Sequence, residues 1–176
     1  MLSDEQLILD YLHGSGRALE ELFSRYKQSL YAFFRRRLTS KDRAEDLTQE
    51  TFLVVIRNAK RYEPRALFRT YLYGIAMKLL AAERRKRGRT EQEFADVASP
   101  SDEISGPALW VRHALGKLSI DDREILMLRD YEQLSYAEIA TLLQIPVNTV
   151  RSRLFRSRLA LREQLEPEKP VVARNH

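Results

Sequence analysis

The sequence predicts an all-α protein of two small helical domains joined by a flexible acidic linker. Three observations predict it. Apolar residues recur at helical spacing through most of the chain. Alternating apolar and polar runs, the mark of half-buried strands, are missing. Between Thr90 and Val111 the composition changes abruptly: there is no lysine or arginine, and Glu91, Glu93, Asp96, Asp102 and Glu103 fall among Ser, Pro and Gly.

Each element has its own signal. Ser3 and Gln6 form a capping pattern for a first helix, which "HGSG" breaks around Gly14 and Gly16. A second helix runs from about Arg17 through "ALEELFSRYKQSLYAFFRRRL", and a third spans about Lys41 to Lys60. The fourth runs from near Pro64 into the basic run "ERRKRGR". Pro107 suits the first position of the next helix. Ser119-x-x-Asp122 and Ser135-x-x-Glu138 are start signals for two more, and "QIP" is a short turn before the last helix. The tail after Leu165, "EPEKPVVARNH", reads as disordered. The expected division is a first domain over 1–89, a linker over 90–106, a second domain over 107–166 and a tail over 167–176.

Composition narrows the function. At 176 residues and 44% hydrophobic content the chain can bury one ordinary core or two small ones. Its net charge of +5 favours a polyanionic partner. Without cysteine there is no disulfide, thiolate metal site or cysteine nucleophile, which fits a reducing cytoplasm. The start "MLSDEQLILDYL" has no basic lead-in or cleavage site, and no apolar run is long enough to span a membrane, so neither export nor membrane insertion is expected. His13, His113 and His176 are far apart, and there is no Gly-rich phosphate loop or serine elbow. No catalytic residue, metal or cofactor is expected.

The last helix carries the strongest signal. At about 100° per residue, Val147, Val150, Leu154, Leu161 and Leu165 share an inward stripe. Asn148, Thr149, Ser152, Phe155 and Arg156 then point the opposite way, with Arg151, Arg158 and Arg162 on one flank and Arg153 on the other. A guanidinium grips guanine edges, short hydroxyls meet bases or phosphates, and an outward ring touches a thymine methyl. Bordering arginines would hold phosphates. With the capped helix and turn before it, this is helix-turn-helix spacing. The plainer reading is a solvated basic face.

In the first domain, "AEDLTQETFLVVIRNAK" places Phe52, Val55, Ile56 and Ala59 inward and Asp46, Gln49, Glu50, Leu53, Arg57 and Lys60 outward. A leucine among acids and an amide suits a protein partner. After it, "KRYEPRALFRTYLYGIAMKLLAAERRKRGR" interleaves Tyr62, Phe68, Tyr71 and Tyr73 with Arg61, Arg65, Arg69, Lys78 and the run from Arg84 to Arg89. Aromatic faces stack on unpaired bases while cations follow the backbone. Phe68, Leu72, Ile75 and Leu79 have core spacing, so Tyr62, in the turn, is the expected exposed ring.

On these residues the chain resembles the bacterial RNA polymerase sigma factors of the extracytoplasmic-function group, in the sigma-70 family. The stretch "LSIDDREILMLRDYEQLSYAEIATLLQIPVNTVRSRLFRSRLALREQL" is similar to their region four, and "DLTQETF" to the D-x-x-Q-E-x-F of their region two. The resemblance implies that Arg151, Ser152, Phe155 and Arg156 meet the upstream promoter element, with Arg129, Thr149, Arg153 and Arg158 on phosphates. It implies that Asp46, Gln49, Glu50, Leu53 and Arg57 bind the β′ coiled coil of core RNA polymerase, whose β flap is a second contact. It also implies that Arg61, Tyr62, Tyr71, Lys78, Arg84 and Arg85 hold the melted non-template strand of the downstream element. The family usually has Trp where Tyr71 stands and Asn where Lys78 stands, so altered base preference is expected there. An anti-sigma partner is implied, as is an acidic linker threading the polymerase's RNA path, although acidic linkers also serve as plain soluble spacers. The competing reading is a stand-alone dimeric regulator with a similar last domain, which would need a sensor pocket or phosphoacceptor in the first half.

Overall fold

A computed structural model describes residues 1–87 and 106–166. The expected acidic linker, the first domain's end at 89 and the tail from 167 lie outside the described residues. Among those residues every regular element is helical: α1 (Asp4–Leu12), α2 (Gly16–Arg35), α3 (Lys41–Asn58), a 3-10 turn (Ala59–Arg61), α4 (Phe68–Arg87), α5 (Pro107–Gly116), α6 (Ile120–Asp130), α7 (Tyr136–Leu143) and α8 (Val147–Leu165). The chain separates into two compact units, one holding α1–α4 and Ala140–Gln144, the other α5, α6, the first half of α7 and α8.

In the first unit α1 packs on α2, α2 on α3, and α3 on α4. Leu22, Leu30, Phe33, Phe34, Leu47, Phe52, Val55, Phe68 and Leu72 form its core, and each large side chain removed from water contributes about 1.5–3 kcal/mol. An edge-on ring pair, Phe23 with Phe52 at 4.9 Å, joins α2 to α3, and Phe33 of α2 lies 5.5 Å from Tyr73 of α4. The basic run that ends α2 closes that helix: Arg35 Nη1 donates to the carbonyls of Leu38 and Thr39, and Arg37 Nη1 donates to that of Phe33 while stacking on its ring.

Helix starts follow the expected chemistry. Ser3, Ser15, Ser40 and Ser119 each accept an amide hydrogen bond from three residues ahead. At Ser135 the capping box is complete, since Glu138 Oε2 accepts from the Ser135 amide at 2.8 Å and Ser135 Oγ accepts from the Glu138 amide at 3.2 Å. Gln6 does not close the box at α1: its side chain donates instead to Asp10.

Three expectations shift. Helix α4 begins at Phe68, not near Pro64, because 63–66 form a turn instead of the helix's first turn, the Ala66 amide donating to the Glu63 carbonyl. Its buried stripe is Leu72, Ala76 and Leu80, whereas Ile75 and Leu79 are half-buried. On α3, Ile56 is exposed: the stripe through Leu47, Phe52, Val55 and Ala59 fills the interface and leaves Ile56 one helical step outside it.

In the second unit α6 and α5 pack on α8. Arg123, buried, binds the end of α5 through the carbonyls of Leu115, Gly116 and Leu118. Gln144, in the turn before α8, has φ 54.

Candidate nucleic-acid and protein interfaces

Helix α8 projects a polar, cationic face from a fixed mount. Val150, Leu154 and Ser157 are its buried residues. Val147, expected on the inner stripe, is 41% exposed, and Leu161 and Leu165 are half-buried. The expected stripe passed over Ser157, whose accessible surface is 0%. Its hydroxyl donates to Asp122 Oδ1 at 2.6 Å, while Ser119 donates to Oδ2 at 2.8 Å. These two bonds, Ser157 first, hold the Asp122 carboxyl below the usual carboxylate range. A polar residue at three-residue spacing from Leu154 carried no sign in sequence that its partner was a carboxylate on another helix.

On the opposite side of α8, Asn148, Arg151, Ser152, Phe155 and Arg156 are exposed, and Thr149 and Arg153 are half-buried. Phe155 is 65% exposed, far outside the range of a core ring. Arg151, Arg153 and Arg156 make no ion pair among the described residues. Two other expected cations hold the fold as well: Arg129 Nη1 donates to the Leu134 carbonyl and lies over the Tyr136 ring, and Arg158 pairs with Asp130 at 3.2 Å. On α5, Leu109 and Trp110 are exposed.

On α3 the alternation within "DLTQETF" is physical. Thr48 and Thr51 face inward, their hydroxyls donating to the Ala44 and Leu47 carbonyls, each at 2.7 Å. Asp46, Gln49, Leu53 and Arg57 are thereby exposed and Glu50 is half-buried. Ile56 joins them, so two apolar side chains, 48% and 39% exposed, share the charged face. Behind them Arg43 joins Asp46 at 3.6 Å and the buried Glu83 of α4 at 2.9 Å.

The loop before α4 corrects one expectation. Tyr62 is 6% exposed. Its ring lies 5.2 Å from Tyr71 and 6.1 Å from Phe68, and its hydroxyl donates to the Ala66 carbonyl at 2.7 Å, closing the loop on itself. Burial, with Glu5 and Asp4 nearby, pushes its phenol up to about 12. Tyr73 is also buried, against Phe33. Tyr71 is half-buried, its phenol pushed up by burial. Arg61, Lys78 and Arg85 are exposed and Arg84 half-buried. The outer surface of this segment is thus cationic with one partial ring.

Residues 22–90 match the family described as Sigma-70 region 2, and residues 108–161 match Sigma-70, region 4. The RNA polymerase sigma-H factor of Pseudomonas aeruginosa is 32% identical over 185 residues, covering 93% of this chain and 94% of that protein. The chain belongs to the extracytoplasmic-function sigma factors of the sigma-70 family. This sigma factor is also 35% identical to the ECF RNA polymerase sigma factor SigC of Mycobacterium tuberculosis, over 92% of this chain and 91% of that one. Among solved structures, CnrH in complex with the cytosolic domain of CnrY matches with a TM-score of 0.73 and 26% identity, covering 94% of this chain and 99% of that one. The sigma factor RpoE in complex with the anti-sigma factor NepR from Bartonella quintana matches at 0.67 and 26% identity, over 85% of this chain and 98% of that one. The region 2 match in the first unit removes the case for a sensor domain there. No helix among the described residues is long and apolar enough to cross a membrane.

Proposed function

We propose that this sigma factor joins core RNA polymerase, directs it to promoters through an upstream and a downstream element, and helps melt the second. Asp46, Gln49, Glu50, Leu53 and Arg57, with Ile56 added, bind the β′ coiled coil; Leu109 and Trp110 offer an apolar surface to the β flap. Arg151, Ser152, Phe155 and Arg156 read the upstream element as duplex, with Arg129, Thr149, Arg153 and Arg158 on its backbone. Arg61, Tyr71, Lys78, Arg84 and Arg85 hold the separated strand of the downstream element. The polymerase performs the chemistry, and this chain supplies no catalytic group. An anti-sigma factor covers these surfaces until a signal arrives, as the complex of its relative RpoE with NepR supports.

The observation that carries the reading is the outer face of α8. A phenylalanine 65% exposed and flanked by Ser152 and Arg156, on a helix anchored through Ser157 and Asp122, presents a ring, a hydroxyl and a guanidinium together on the side away from the core, the set of groups that reads base edges. Capture with purified core polymerase, followed by selection of bound promoters, tests it. The expected result is a stable holoenzyme that enriches two spaced elements. A free protein that binds a duplex operator as a dimer and ignores the polymerase would overturn it.

A further inference from the structure

Helix α1 precedes the matched region 2, which begins at residue 22. Its contacts are specific nonetheless. Leu7 and Ile8 are buried. Asp4 accepts from the Tyr26 hydroxyl and pairs with Arg25 Nη1 at 2.7 Å, and the same nitrogen donates to the Leu2 carbonyl at 3.0 Å, so α1 is tied to α2 by side chains at its start. The next residue, Glu5, reaches the other way. Its Oε1 accepts from the amide of Phe68 at 3.0 Å, across 63 positions of sequence.

That amide belongs to the first turn of α4. The first amides of a helix lack partners inside it and attract negative charge. The residue just before the helix is Leu67, whose carbonyl accepts from the Tyr71 amide and whose side chain has no oxygen; even a capping side chain there would bond the second or third amide and leave that of Phe68 to another partner. Glu5 supplies that partner from outside. Phe68, at the capped position, is fully buried, with the rings of Tyr26, Tyr62 and Tyr71 at 5.8, 6.1 and 6.3 Å. Whatever fixes that amide therefore fixes the loop that Tyr62 closes and the half-buried ring of Tyr71.

We propose that Glu5 is a positioning residue for strand capture: by capping α4 from α1 it sets the geometry in which the 62–71 segment meets the melted downstream element. The inference rests on the sigma reading above, and it adds α1 to the promoter-melting apparatus.

The test uses full-length protein assembled with core polymerase and three measurements: affinity for the core, affinity for a duplex carrying the upstream element alone, and affinity for a fork-junction DNA whose downstream element is single-stranded, with base substitutions in it. Glu5→Ala should weaken the fork about fivefold to tenfold, by the size of a lost cap, and flatten its base preference, leaving the other two affinities within about twofold. Glu5→Gln, which retains an oxygen acceptor, should keep most of the native affinity. Equal losses in all three measurements would reduce Glu5 to a structural role and overturn the proposal, as would an unaltered fork affinity in Glu5→Ala or a loss in Glu5→Gln as large as in Glu5→Ala. If holoenzyme with the native chain ignored the downstream element altogether, the sigma reading would fall and this inference with it.

Discussion

Arg156 and Ser157 are neighbours on α8 with opposite fates, and each makes a prediction. Arg156 is exposed beside Phe155, the arrangement suited to reading a base edge. Arg156→Ala should cost about 1–3 kcal/mol at one base pair of the upstream element and relax preference there, whereas Arg153→Ala should weaken every sequence alike. Binding of the holoenzyme to a panel of substituted promoters checks this; equal loss on all of them for Arg156→Ala would remove it from the base-reading set. Ser157 acts through the fold. Removing its bond to the Asp122 carboxylate should cost about 2 kcal/mol of stability in Ser157→Ala. Because the Asp122 carboxyl is held below its ordinary value, its stabilisation is present above the carboxylate range and is lost as pH falls through the folded value. Thermal melts should therefore show the gap between native protein and Ser157→Ala to be widest near neutrality and to close in acid; a gap independent of pH would contradict the assignment. At this scale the sequence disclosed which residues face outward, since charge, hydroxyls and a lone ring fall on the side of the helical period opposite the apolar stripe. It hid Ser157 and Tyr62, because a serine or tyrosine reveals nothing of whether its hydroxyl will find a partner inside.

Among the helices, legibility followed the range of the interaction that sets each boundary. The starts of α6 and α7 were visible because serine and carboxylate sit three residues apart and cap each other locally. The start of α4 was misplaced because its cap comes from Glu5, and a partner 63 positions away leaves no local pattern. Ile56 went astray for a related reason: one helical step separates it from Val55, and only the packed neighbour decides where the apolar face ends. The turn before α8 carries a cost that local pattern also concealed. Gln144 holds φ 54, a left-handed backbone that disfavours any side chain with a Cβ. Gln144→Gly should raise stability by about 1 kcal/mol, seen as a higher melting temperature, with promoter binding retained. A lower melting temperature would mean that the glutamine side chain offsets the strain.

Over the whole molecule, the all-α class and the two units were legible because helical periodicity runs through most of the chain and the composition changes abruptly from basic to acidic between Thr90 and Val111. The net charge of +5 is modest, and what gives it meaning is its placement: cations on the exposed face of α8 and along α4, carboxylates and two apolar side chains on α3. On the proposed reading, the α3 face seats this chain on the polymerase before either DNA surface is used.

Promoter-specific initiation in a purified system is the most direct measurement of that claim. With core polymerase and a promoter chosen by the holoenzyme, the native chain should support initiation, and Asp46→Lys combined with Glu50→Lys should abolish it by preventing assembly, with binding of the isolated duplex element unchanged. Undiminished initiation by the charge-reversed protein would contradict the account.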